Sequence, residues 1–210
     1  MKAILFDMYG TLARIESPTS AYRNLYHSLT QGKISIRDFR QRVMTQSGPD
    51  IREWLEELGV DHCALRTWEM TILSELKSIT LYEDVEESLT QLSGMFPLYL
   101  LSNVAAPFVS PFYQLGLDRW IKQAFFSCEM GLRKPAPAAF EHVLNTLELE
   151  PDDVLMVGDS FISDVKGAQV AGMKGLWLNR GGTLNDRGIQ TLNQLVGLAE
   201  SLQGSRGATA

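Results

Sequence analysis

The chain has 210 residues, 45% hydrophobic and 21% charged, which suits one α/β domain with a modest insertion and excludes a disordered chain. A formal net charge of −6, with acids and bases interspersed, excludes the clustered Lys/Arg surface that nucleic acid requires. No apolar run approaches the ~18 residues of a membrane span, no secretory leader is visible, and two distant cysteines, Cys63 and Cys128, read as buried free thiols, so the expectation is a soluble, cytoplasmic protein.

The apolar run from Ala3 to Leu5 marks residues 2–7 as a central strand of a parallel sheet, apolar because it is covered on both faces. It ends in the carboxylate of Asp7, and Gly10 then permits a sharp turn with exposed backbone amides. In an open α/β sheet, ligands bind just past the carboxyl ends of the strands.

Residues 14–80 have helical grammar throughout and show no strand pattern. Ser17-Pro18 places a capping residue before a proline at a first helical position. Ser35 through Asp38 resembles a capping box, and Ile51, Leu55 and Leu58 share one helical face that Gly59 closes. Asp61 can cap a further helix carrying Leu65, Trp68, Ile72 and Leu76. The segment is therefore expected to be an all-helical cap set over the ligand-binding end of the sheet. The core would comprise residues 1–13 and 81–203.

From Pro97 onward strands and helices alternate. Strands are expected at 98–102, 124–127, 154–157 and 175–179, with helices at 106–115, 137–147 and 164–171, as βαβ units of a parallel sheet require. A last amphipathic helix covers 189–202, and residues 204–210 have the composition of a frayed tail.

Chemistry-bearing residues fall at the strand ends. Ser102-Asn103 offers short hydrogen-bonding side chains for an anion's oxygens, as does Thr11 beside Asp7. Lys134 is held between Arg133 and Pro135, on a loop whose prolines restrict its backbone. The segment Val157 to Asp164 supplies two carboxylates, Asp159 and Asp164. Each group alone is ordinary turn chemistry, but adjacent parallel strands would converge all of them at one edge. Carboxylates that close together require a proton or a cation, and Mg2+ is the natural partner for oxygen ligands that include phosphate. Asp7 would then act as nucleophile on a phosphoryl group held by Thr11, Ser102, Asn103 and Lys134.

The segments Phe6 to Leu12, Leu101-Ser102-Asn103, Arg133-Lys134-Pro135 and Gly158-Asp159-Ser160 with Asp164 resemble the four motifs of the haloacid dehalogenase superfamily, in order and across nearly the whole chain. The resemblance implies a Rossmann-like parallel sheet flanked by helices, with a helical cap after the first strand. It implies Asp7 as nucleophile, Ser102 and Lys134 as phosphate-binding and charge-stabilising groups, and magnesium on Asp7, Asp159 and the Tyr9 carbonyl, with Asp164 completing the acidic set.

Tyr9 departs from the pattern. Phosphatases of the superfamily usually carry Asp two residues after the nucleophile, as general acid and base, and a tyrosine of ordinary pKa near ~10 does not accept a proton at neutral pH. Metal-free 2-haloacid dehalogenases of the superfamily carry Tyr there, but they lack the acidic pair and tend to have Tyr where this chain has Phe140. The acidic pair favours a magnesium-dependent phosphatase acting on a small phosphorylated metabolite through an aspartyl-phosphate on Asp7. The alternatives are a dehalogenase forming an Asp7 ester, and a catalytically weak regulatory protein. His27, His62 and His142 are scattered and form no ligand set, and Lys33, Arg37 and Arg40 share one face of the cap.

Overall fold

The computed structural model describes residues 1–29, 34–46, 50–182 and 188–207. Strand β1 (Ala3–Phe6) is buried at every position. Next come β2 (Ala13–Ile15) and four helices, α1 (Ala21–Ser28), α2 (Ile36–Thr45), α3 (Asp50–Glu57) and α4 (His62–Lys77). Strand β3 (Ile79–Leu81), α5 (Val85–Met95), β4 (Leu98–Ser102), α6 (Ser110–Gln114) and β5 (Ile121–Phe126) follow. The chain continues through α7 (Ser127–Met130), α8 (Pro137–Leu147), β6 (Val154–Gly158), α9 (Gly167–Val170), β7 (Lys174–Trp177) and α10 (Leu192–Gly207).

Five strands form one sheet in the order β5-β4-β1-β6-β7, every neighbour parallel. The first strand is thus the central one, with Leu5 opposite Tyr99 on one side and Met156 on the other. Its side chains alternate between the two layers that cover the sheet. Ala3 and Leu5 join Phe140 and Val143 of α8, whereas Ile4 and Phe6 join Leu89 and Leu92 of α5. This is the Rossmann-like α/β architecture expected. Among the described residues no helix is long and apolar enough to cross a membrane.

The stretch expected to be purely helical contains strand. β2 and β3 pair antiparallel, Ala13 opposite Leu81 and Ile15 opposite Ile79, as a ribbon through which the chain leaves and re-enters the core. Three residues are too few to show alternation, so only the tertiary pairing makes them strands. Ser35 and Asp61 cap α2 and α4, accepting from the amides of Asp38 at 3.1 Å and Ala64 at 2.8 Å. Ser17-Pro18 starts no helix. α1 begins only at Ala21, because the amide and hydroxyl of Thr19 turn instead to Glu75 of α4.

The helix expected at 106–115 is split into a 3₁₀ turn at Ala106–Phe108 and α6, where Pro107 and Pro111 remove donors. Asp164 sits within a wide helical turn, Phe161–Lys166, ahead of α9 rather than at a helix start. α10 runs through Gly204 to Gly207, beyond the expected fraying point, and nothing in the composition signals it. Residues 208–210 and Lys33 lie outside the described residues.

Candidate active site

The parallel register delivers the ends of β1, β4 and β6 to one edge. There the ammonium of Lys134, 1% exposed, lies 2.8 Å from Asp7 Oδ1 and 2.7 Å from Asp164 Oδ1. Ser102 Oγ donates to the same Asp7 oxygen at 3.2 Å. A buried cation between two buried carboxylates is tolerated because each charge is paired and hydrogen-bonded. Burial alone would lower the pKa of Lys134, but Asp7 and Asp164 outweigh it and hold the ammonium above its usual range. Burial pushes the Asp7 carboxyl up, Lys134 opposes that, and Asp164 adds to it.

Asp7, Asp159 and Asp164 offer oxygens that all lie within 4.8 Å of one another. Burial, then the charges of Asp7 and Asp164, push Asp159 up to about 7. One lysine does not neutralise three carboxylates, so the site retains an unmet demand for positive charge. Two glycines make the crowding possible. Gly10 has φ +85°, and a Cβ there would collide with the Asp159 carboxylate; one on Gly158 would collide with that of Asp164. A hard, all-oxygen donor set of this size fits magnesium.

The remaining expected residues are engaged with backbone. Asn103 Nδ2 donates to the Lys134 carbonyl at 2.8 Å, and the Lys134 amide donates back to Asn103 Oδ1 at 2.8 Å, so this side chain positions the lysine loop. Thr11 Oγ1 accepts from the Asp159 amide at 3.0 Å and fixes the β6 turn against the β1 turn. Asp164 Oδ2 accepts from the Ser160 amide at 2.9 Å. Tyr9 donates its hydroxyl to the Phe108 carbonyl at 2.9 Å, and burial followed by the Asp7 charge pushes its pKa far up.

Sequence reasoning missed Arg180. Its guanidinium donates twice to the Thr11 carbonyl, at 2.7 and 3.0 Å, pairs with Asp84 at 2.9 Å and lies over the Tyr82 ring. Trp177 Nε1 donates to the Asp159 carbonyl at 2.7 Å. The available signal was place: Arg180 follows β7 just as the other site residues follow their strands.

An open parallel sheet with a buried carboxylate at the end of its central first strand, a lysine beside it and helices inserted after that strand defines a class of α/β hydrolase. The chain belongs to the haloacid dehalogenase-like hydrolase family, which it matches over residues 1–172. It is 32% identical over 144 residues to the N-acylneuraminate-9-phosphatase of Rattus norvegicus, covering 66% of this chain and 53% of that protein. It is 33% identical over 195 residues to the phosphoglycolate phosphatase of Pectobacterium atrosepticum, covering 86% of this chain and 81% of that one. A 2-haloacid dehalogenase from Pseudomonas syringae shares the fold with a TM-score of 0.64 and 21% identity, over 96% of this chain and 99% of the other. Matches span about half the length of several curated relatives, the rat phosphatase among them.

Proposed function

We propose that the chain is a magnesium-dependent phosphatase that hydrolyses a small phosphorylated metabolite through an aspartyl-phosphate on Asp7. The observation that carries the reading is the group of three carboxylates, Asp7, Asp159 and Asp164, around one lysine. A metal-free displacement by Asp7 gains nothing from two further acids, which would repel an anionic substrate. The similarity to phosphatases over most of the chain supports the same reading.

Magnesium held by Asp7, Asp159 and the Tyr9 carbonyl, with Asp164 in support, would offset the carboxylates and the phosphoryl oxygens. Lys134 and Ser102 orient the Asp7 carboxylate and supply donors to the phosphoryl group. An Asp7 oxygen attacks phosphorus and the bond to the leaving oxygen breaks; that oxygen takes a proton from water, because the Tyr9 hydroxyl is committed to Phe108. Water then attacks the acyl-phosphate, releasing inorganic phosphate and restoring Asp7.

Turnover of p-nitrophenyl phosphate with magnesium, abolished by chelator and by Asp7→Asn, is the expected result. Tyr9 favours a second reading, dehalogenation, for which halide release from 2-chloropropionate in the presence of chelator is the discriminating signal. Chelator-insensitive hydrolysis of the phosphate ester would overturn the metal-dependent mechanism.

A further inference from the structure

A cavity of about 630 Å³ lies between α1, α2 and the loop that carries Arg133, and four arginines line it: Arg23, Arg37, Arg40 and Arg133. Three come from the inserted helices. Arg133 comes from the core, directly before the Lys134 that touches Asp7. Helix α2 packs on α7, so the arginine-bearing helix is seated against the core rather than held away from it. Among the described residues the arginine ion pairs belong to Arg14, Arg52, Arg119 and Arg180, and none of the four cavity arginines takes part in one. Arg40 and Arg133 line the same cavity, and burial, then the charge of Arg40, depress the pKa of half-buried Arg133, so the two cations act on each other across it.

The cavity has other features of a binding site. Ile15, Phe39 and Val43 give it an apolar wall, and Tyr22, whose buried hydroxyl has no hydrogen-bond partner among the described residues, lines it as well. Tyr22 packs against Phe108, whose carbonyl accepts from Tyr9, so Phe108 connects the cavity wall to the nucleophile turn. Its one acid, Glu75, is already engaged by the amide and hydroxyl of Thr19. The volume would hold about twenty liquid waters, far more than a two- or three-carbon fragment needs.

Resting on the phosphatase reading, we propose that Arg40 and Arg133 clamp a second anionic group of the substrate across the junction of inserted helices and core. The preferred substrate is then a phosphomonoester whose leaving group has a sizeable, partly apolar body ending in a carboxylate or a second phosphate. Arg23 and Arg37 reinforce the attraction from the rim. With α2 already packed on the core, the second anion both selects the substrate and seats it beside Asp7.

The test uses phenyl phosphate, para-carboxyphenyl phosphate and the bisphosphate of hydroquinone. Each is measured for kcat/KM on the wild-type protein with magnesium, and for Kd by calorimetry on Asp7→Asn protein. At least one of the two probes with a second anionic group is expected to exceed phenyl phosphate by about tenfold or more in both, the size of a charge-assisted hydrogen bond; the better of the two identifies carboxylate or phosphate. That ratio is expected to fall toward one in Arg40→Gln and in Arg133→Gln, of which Arg40 is exposed on α2 and its variant retains the fold. Equal values for all three probes, or a ratio that survives both substitutions, overturns the clamp. A binding preference without turnover of any ester keeps the clamp and overturns the phosphatase reading instead.

Discussion

Tyr9 stands where a proton-transferring acid would serve a phosphatase, yet its hydroxyl donates to the Phe108 carbonyl and its pKa is driven up by burial and by Asp7. Tyr9→Phe should therefore change p-nitrophenyl phosphate turnover by no more than about twofold. It should also cost about 1–3 kcal/mol of stability, because the Phe108 carbonyl loses its donor. Tyr9→Asp should raise turnover, with ~10²–10⁴-fold as the ceiling for general acid–base assistance. The gain should be larger for alkyl esters, whose leaving oxygen needs the proton, than for nitrophenolate. Steady-state kinetics on the two ester types checks this; an unchanged or lower rate in Tyr9→Asp removes the account of Tyr9. Lys134 is the opposite case. Lys134→Met would strand Asp7 and Asp164 as buried carboxylates without a cation, and denaturant unfolding should show a loss of about 3–5 kcal/mol.

At the scale of elements, what was legible in the sequence was what local pattern encodes. The β1 run, the apolar β6 run and the caps Ser35 and Asp61 each state their role within a few residues, and the structure agrees. Carboxylates and a lysine at strand ends converge once the strands are parallel, so most of the site followed from topology. The β2–β3 ribbon and the Arg180 clamp did not, because both consist of contacts between residues far apart in the chain. Asn103 and Thr11 were identified as site residues, but not as the braces that hold Lys134 and Asp159. A hydroxyl or amide beside a phosphate-sized space looks the same in sequence whether it meets ligand or backbone. Arg180 ties the Thr11 carbonyl to Asp84, whose carboxylate also accepts from the Leu192 amide at the start of α10. Arg180→Met should cost about 2–3 kcal/mol, as expected for losing charge-assisted bonds in a largely buried setting. It should also lower kcat more than it raises KM, since it loosens the turn carrying Asp7 rather than a substrate contact. A variant equal to wild type in both thermal unfolding and kinetics would reduce Arg180 to a surface pair.

At the scale of the whole molecule, the acidic edge of the sheet links stability, pH and metal. Asp159 is pushed from an ordinary 3.8 up to about 7, so between those values the folded, metal-free protein holds a proton that the unfolded chain has released. Folded stability should therefore fall as pH rises through that window and level off above it, since the unfolded state binds fewer protons there. On the proposed function magnesium would take the place of that proton. Its stabilisation should be small near pH 5 and full above about pH 8, reaching ~2.7 kcal/mol at a hundredfold excess over Kd, or several degrees in Tm at ~2–4 °C per kcal/mol. Asp159→Asn mimics the protonated acid. In the absence of metal it should melt higher than wild type at about pH 8, show no decline across the window and gain little from magnesium. Melting curves of both proteins at several pH values, with magnesium and with chelator, measure all three effects together. A wild-type Tm that is indifferent to millimolar magnesium at about pH 8 would mean that the carboxylates are satisfied by Lys134 and a shared proton. In that case the metal-free reading of Asp7 chemistry would take precedence.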